Sequence, residues 1–431
     1  MNSLVLGGAV SGRAAALLSR SLGHAVAVFD QDPTVVAKLR DDRLFVISGT
    51  WTPSLLSGVD LVITSPGFSE SSEPIRATRA AGIPLWSELE FASRQLTAPI
   101  VAVTGTNGKT TVTGLIADML AGSGLAARAT GNIGTPLADL VGEPFDVAVV
   151  EASSFQLRFT EQFHPATALV LNVAPDHLDW HGTYEAYLAA KTMIHRNQTR
   201  DDLLVYDADD GGAVEAVRNA TARLIPVSGR RCPEGGAGVR GDQLDLRGVM
   251  VPLTRVPVAD PAFLVDLVAA GVAALAHGAE PETVEKLITT FHPGPHRRTL
   301  VGRWQDIDWV DDSKATNPHA AIASASAYLS VILIAGGRNK GLDLSGLMAV
   351  PQIKHVIAIG EAAHELEEAA AGNSIDRAGT MQEAVEIADQ IARPGDTVLL
   401  APGCASFDMF GSYADRGDSF ADAVRQRKEG R

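Results

Sequence analysis

The sequence predicts an α/β fold of three domains, each an open, mostly parallel sheet with flanking helices. Three observations carry this expectation. Short apolar runs alternate with helical periodicity along most of the chain, polar clusters follow directly after those runs, and no short fixed repeat marks a solenoid. The 431 residues leave room for about three domains at roughly 150 residues each.

The central stretch, VAVTGTNGKTTV at residues 101–112, most directly dictates a chemistry. Apolar residues 100–103 read as a buried strand. The chain then turns through Gly105 and Gly108, and Thr110 opens a helical pattern through Thr113, Leu115, Ile116 and Met119. A strand feeding a glycine turn that ends on a helix N-terminus aims backbone N–H groups and the helix dipole at one spot, which suits phosphate oxygens. Lys109 adds a point charge, and the Thr110 hydroxyl is placed for a divalent metal. The loop is a shortened form of the phosphate-loop pattern, with Val103 where that pattern has its first glycine.

Composition sets limits on the ligands. Hydrophobic residues make up 46% and charged residues 20%, as in a globular protein with an ample core. A formal charge of −15 argues against general affinity for nucleic acid or an anionic membrane, so any anionic ligand must be held by a local cationic cluster. Cys232 and Cys404 lack metal-ligand spacing and read as free thiols in a reducing compartment. The start, MNSLVLGGAVSG, reads as a first strand rather than a signal peptide. With no apolar run near the roughly 18 residues of a membrane helix, the expectation is a cytoplasmic protein.

Taken in order, residues 3–6 form a strand, GGAVSG at residues 7–12 a turn, and the next residues a helix through Leu22. Residues 25–29 form a second strand with Asp30 at its tip. This βαβ outline suits a nucleotide, but Ala9 stands at the second glycine of the dinucleotide fingerprint, so an NAD site is the weaker reading. A strand at residues 61–64 ends in the rigid turn Ser65-Pro66-Gly67-Phe68. Ser87-Glu88-Leu89-Glu90 then leads out through a short helix, closing a first domain at about residue 92.

After the phosphate loop come the turn Gly131-Asn132-Ile133-Gly134, a strand at 147–150 capped by Glu151, and a strand at 168–171 capped by Asn172. The stretch from Asp176 to His181 admits two readings. His177 and His181, four apart, could form a helical zinc pair, but Pro175 and Gly182 bracket a segment short for a helix, and a metal–phosphate site beside Glu151 accounts better for His177. A helix at 184–196 contains Lys191. Residues 232–258 read as a hairpin segment, Asp260-Pro261 caps a long helix to Ala276, and 281–291 is another helix. The basic turn-rich stretch 291–298 reads as a linker. Beyond it, strands at 307–310, 331–335, 356–359 and 398–400 feed the DDSKATN (311–317), GGRNKG (336–341) and APGCASF (401–407) clusters.

Residues 104–111 (TGTNGKTT), 151–156 (EASSFQ), Asp176-His177, 181–191 (HGTYEAYLAAK), 295–297 and above all 311–317 (DDSKATN) resemble the Mur ligases, in the same order across all three regions. The resemblance implies a Rossmann-like UDP-substrate domain (1–92), a P-loop ATPase domain (93–293) and a Rossmann-like amino-acid domain (294–431). The implied activity is the addition of D-glutamate to UDP-N-acetylmuramoyl-L-alanine. ATP phosphorylates the substrate carboxylate, and the amine of the amino acid displaces phosphate from the acyl phosphate. A monomer using ATP and Mg²⁺ is expected, without nucleic-acid or membrane partners.

The same resemblance implies site residues. Lys109, Glu151, His177, Lys191 and Asn132 would be catalytic, with metal held by Thr110, Glu151, His177 and a carbamylated Lys191. An ammonium beside Mg²⁺ would be repelled, whereas a carbamate adds an oxygen ligand. ATP would contact Gly105, Thr106, Asn107, Gly108, Lys109, Thr110 and Thr111, with Arg297, Asp312 and Lys314 closing over it. The UDP substrate would meet Val10, Ser11, Asp30, Ser65, Pro66, Gly67, Asn132, Ser153 and Gln156. Thr316, Lys340, Ser406, Phe407 and Tyr413 would surround D-glutamate, a dicarboxylate that needs cations and hydroxyl donors.

Two departures stand out. The family's His-Asn-x-x-Asn segment before the linker reads Ala262-Phe263-Leu264-Val265-Asp266, and Gln31-Asp32 follow Asp30 where a basic residue is common. Rival readings are a folate-using ligase of the same fold, a regulatory P-loop ATPase, and a UDP-sugar-binding protein with a decayed ATPase.

Overall fold

The computed structural model describes residues 1–370 and 374–429. Among them, three sheets form, and the chain divides into two compact units. Met1–Val173 with Trp180–Phe291 makes the first; Ala174–Asp179 with the chain from His292 onward makes the second.

The first unit contains two sheets. One is all parallel, in the order Phe45–Ile47, Ala25–Phe29, Asn2–Leu6, Leu61–Thr64, Leu85–Ser87. Strand order reverses between Asn2–Leu6 and Leu61–Thr64, so the turns after these two strands meet at the crevice where such sheets take ligands. They are in close contact: a Cβ on Gly7 would lie 2.2 Å from Ser65 Oγ.

The other sheet runs parallel from Arg223–Ser228 through Leu203–Asp207, Thr167–Val170, Ile100–Thr104 and Val147–Glu151 to Ala127–Gly131. Ile100–Thr104 lies between two partners and is buried along its whole length, which is why it reads as an unbroken apolar run. The segment expected to be a hairpin supplies Ala237–Arg240, Gln243–Asp245 and Met250–Pro252, paired antiparallel. Asp260 accepts from Ala262 N–H at 2.9 Å and starts the helix Pro261–Ala276, whose side chains are buried on nearly every face against the helix Lys109–Gly122 and the sheet.

The second unit holds Thr299–Trp304, Ile307–Asp311, Thr397–Leu400, Val331–Gly336, Ile353–Ile359 and Ile375–Arg377 in that order. The first pair is antiparallel and the rest parallel. The strand Thr299–Trp304 is absent from the sequence reading, which ran from the linker straight to residue 307. Its turn is Gln305-Asp306, both at positive φ (54° and 59°), a conformation usually announced by Asn or Gly. The helix expected over 184–196 ends at Thr192 and continues as the 3₁₀ turn Met193–His195. No helix among the described residues is long and apolar enough to cross a membrane.

Candidate active site

The strand Ile100–Thr104 delivers the chain into the loop 105–108, and Gly108 at φ +84° starts the helix Lys109–Gly122 without any side-chain cap bond. Only glycine fits here. Its conformation is left-handed, and a Cβ would stand 2.6 Å from an Asp266 carboxylate oxygen. The loop is braced from two sides. Thr106 N–H donates to the Asn172 carbonyl at 2.9 Å, Asn107 N–H donates to the Asn172 side chain at 2.7 Å, and the Thr106 hydroxyl lies 3.1 Å from Tyr187 OH. Such a rigid loop at a helix N-terminus fits a triphosphate.

Glu151, 2% exposed, ends the neighbouring strand and receives two donors: Thr110 Oγ1 at 2.9 Å and Asn132 Nδ2 at 2.9 Å. Asn132 reaches it because Gly131, at φ +99°, folds the backbone onto the Glu151 carbonyl, where a Cβ would lie 2.4 Å away. Lys109 Nζ bonds the Gly105 and Thr106 carbonyls at 2.8 and 3.0 Å, and buried Lys191 Nζ bonds the same Gly105 carbonyl at 2.7 Å. Lys109, Thr110, Asn132, Glu151 and Lys191 thus converge on one sheet edge. A carboxylate beside a helix-terminal threonine hydroxyl is a donor set that suits a hard divalent cation.

Ser153 and Gln156 follow on the same edge and form a capping box for the helix Ser154–Leu157, both buried. His181 packs near them, its Nε2 3.0 Å from Ser154 Oγ and its ring stacked on Phe155. The zinc-pair reading of His177 and His181 does not survive the backbone. His177 has φ +52° and precedes the four-residue helix Leu178–His181, so the two imidazoles do not share a helical face. Among the described residues no group of three or more His, Cys, Asp or Glu is arranged to hold a metal.

At the first sheet's crevice, Val10 is exposed at the start of its helix, and Ser11 follows it. Asp30 turns inward and accepts from Gly8 N–H at 2.6 Å and Asp32 N–H at 2.8 Å. The Ser65-Pro66-Gly67 turn is tied to the second sheet's loops by Trp180, whose indole N–H donates to the Pro66 carbonyl at 3.2 Å.

In the second unit, Asp312 is buried and accepts from Arg298 N–H at 3.2 Å; burial pushes its carboxyl above the usual range. Arg297 is half-buried on the same strand-entry turn, and Lys314 Nζ lies 5.1 Å above the Tyr413 ring. Lys340 Nζ bonds Asp176 Oδ1 at 3.0 Å. Burial opposes ionisation of Asp176, but the Lys340 and His177 charges with their hydrogen bonds outweigh it and hold the carboxyl below its ordinary value. Lys340 and Phe407 line a cavity of about 610 Å³ together with His177 and Arg338. Thr316 and Ser406 stand on the flanking loops, with Ser406 buried.

Sequence reasoning passed over Arg416, and took in Arg338 and Arg298 only as members of the 336–341 cluster and the basic linker. Arg416, 1% exposed, stitches the Ser313 and Cys404 loops by donating to Ser313 Oγ and to both carbonyls. Arg416 lies 103 residues from Ser313, so no local pattern marks the pairing.

A family model described as "Mur ligase middle domain" matches residues 103–231, and one described as "Mur ligase, glutamate ligase domain" matches residues 296–404, together more than half of the chain. The chain belongs to the Mur ligase family. A relative from Frankia casuarinae, named UDP-N-acetylmuramoylalanine--D-glutamate ligase, is 40% identical over 99% of this chain and 94% of its own length. Two solved structures share the fold. A pseudomurein peptide ligase type C from Methanothermus fervidus has a TM-score of 0.62 at 18% identity, covering 99% of each chain. The MurF ligase of Thermotoga maritima in complex with ADP has a TM-score of 0.60 at 14% identity, covering 94% of this chain and 95% of its own.

Proposed function

We propose that this Mur ligase is a cytoplasmic, monomeric enzyme that adds D-glutamate to UDP-N-acetylmuramoyl-L-alanine in peptidoglycan synthesis, using ATP and Mg²⁺. One observation carries the site: Lys109, Thr110, Asn132, Glu151 and Lys191 meet around a glycine loop that starts a helix. The substrate choice rests on likeness to relatives named for that reaction. The domain assignment follows the sequence reading: 1–92 for the UDP substrate, 93–293 for ATP and 294–431 for the amino acid.

A carboxylate and a triphosphate repel each other, so the site must supply positive charge to bring them together. Lys109 and the first-turn N–H groups do this for the phosphates. Thr110 and Glu151, with His177 and a carbamylated Lys191, would hold Mg²⁺, which would supply positive charge to the phosphates. The substrate carboxylate oxygen attacks the γ-phosphorus and ADP leaves. The free amine of D-glutamate then attacks the acyl carbon, gives up a proton, and expels phosphate. Asn132, Ser153 and Gln156 would orient the acyl portion; Val10, Ser11, Asp30 and Ser65 to Gly67 the uridine nucleotide. Arg297, Asp312 and Lys314 would close over ATP. Lys340, with Thr316, Ser406, Phe407 and Tyr413, would hold D-glutamate, and the cationic cavity beside Phe407 supports that reading.

The test is phosphate release with ATP, UDP-N-acetylmuramoyl-L-alanine and a panel of amino acids. D-Glutamate should stimulate turnover far above the others. Turnover no higher than the amino-acid-free blank would overturn the assignment, and turnover with a folate in place of the UDP substrate would favour the folate-using rival.

A further inference from the structure

The short helix Glu88–Ser93 carries two buried acids with different surroundings. Glu90 is saturated: its carboxylate accepts from the backbone N–H groups of Glu161, Gln162 and Phe163 and from Arg94 Nε at 2.6 Å. Such a carboxylate is a structural anchor. Glu88, 2% exposed, accepts from Ala138 N–H at 2.7 Å through Oε1, whereas its Oε2 is buried with no hydrogen-bond partner among the described residues. Burying a carboxyl with one oxygen unsatisfied costs stability, and the backbone N–H groups of Ala138 and Leu137 offset it only in part.

What Ala138 belongs to gives the acid a purpose. It lies in the 3₁₀ turn Leu137–Leu140, which closes the loop that begins at Gly131 and Asn132. That loop is stiff. Thr135 O accepts from Thr130 Oγ1 at 2.6 Å and from Gly131 N–H at 3.1 Å, and Pro136 leads into the turn. The bond made by Glu88 therefore lies six positions along the chain from the Asn132 side chain that donates to Glu151.

We propose that Glu88 is a positioning residue: by fixing Ala138 it sets the loop that aims Asn132 at the acyl end of the UDP substrate. This rests on the reading of Asn132 as a substrate contact given above. Burial, with Asp139 nearby, pushes the Glu88 carboxyl up to about 7, so near neutrality the group is partly an uncharged acid.

The experiment measures kcat and the three substrate KM values for the full chain and for Glu88→Ala, Glu88→Gln and Thr135→Gly. The last loosens the same loop at an exposed position. Glu88→Ala and Thr135→Gly should raise KM for UDP-N-acetylmuramoyl-L-alanine at least fivefold and leave KM for ATP within twofold. Glu88→Gln, which retains an acceptor for Ala138, should stay within twofold of the parent on all three. All three KM values unchanged in Glu88→Ala with only a lower melting midpoint, or Glu88→Gln as impaired as Glu88→Ala, would overturn the role. If Glu88→Ala does not fold, an unaltered KM in Thr135→Gly does the same. A parent enzyme without D-glutamate-dependent turnover would instead defeat the functional reading, and this inference with it.

Discussion

Lys109 and Lys191 donate to the same acceptor, the carbonyl oxygen of Gly105, at 2.8 and 2.7 Å. Two ammonium groups gathered on one oxygen repel, most strongly where one is 1% exposed and cut off from water. Converting Lys191 to a carbamate replaces that repulsion with attraction and adds oxygen ligands for a cation. Lys191→Ala should therefore lower kcat by about 10²-fold or more, and short-chain carboxylic acids should restore part of it by standing in for the carbamate. Full activity in the variant would refute the modified-lysine role.

Glu151 is the carboxylate on which Thr110 and Asn132 converge. Glu151→Gln keeps the volume and one acceptor but removes the charge that would hold Mg²⁺. We expect kcat to fall by about 10² to 10³-fold and the Mg²⁺ concentration for half-maximal rate to rise. Chelating Mg²⁺ should stop phosphate release in the parent, and re-addition should restore it. An unchanged Mg²⁺ response in the variant counts against Glu151 as a ligand.

The raised Glu88 pKa makes a prediction about stability against pH. In the folded chain the carboxyl titrates at about 7 instead of 4.5, because burial disfavours the charge and Asp139 adds to it. The folded state then holds the proton more tightly, so the contribution is full below pH 4.5 and is lost as pH rises through about 7. The loss is about 3 kcal/mol. Measured by denaturant melts, Glu88→Gln should gain on the parent between pH 5 and about pH 7 and level off above it. A difference that does not change with pH would show that Glu88 titrates normally.

Lys340 lines the second unit's cavity beside Arg338 and bonds Asp176 at 3.0 Å. Lys340→Met keeps most of the apolar stem and removes the charge. KM for D-glutamate should rise by roughly 10 to 100-fold, the equivalent of one charge-assisted bond, while KM for the UDP substrate moves little. Equal rises in both would place Lys340 outside the amino-acid site.

Most sheet strands could be read from the chain because burial on both faces writes itself locally as a β-branched apolar run, as in Ile100–Thr104 and Val331–Gly336. The helix Pro261–Ala276 was equally plain, with its Asp260 cap and Pro at the first turn. Thr299–Trp304 stayed hidden because its turn uses Gln305 and Asp306 at positive φ without a glycine to announce it. His177 and His181 show the limit of spacing as a guide: a single left-handed residue cancels an i, i+4 match. Glu88 looked like an ordinary acid opening a helix, and nothing nearby in sequence tells that Ala138, 50 residues on, would close over it.

Local order of the chain thus dictated the three sheets, the glycine loop before Lys109 and the polar residues waiting at each strand end, since each depends on neighbours within a few positions. Which of those polar groups are satisfied, and by whom, was settled by packing. Gly105 accepts two lysines 82 residues apart, Glu151 takes donors from a helix N-terminus and from another loop, and Glu88 is left with an idle oxygen. Hydrogen bonding and desolvation act through space, and the distances that govern them exist only once remote segments have come together.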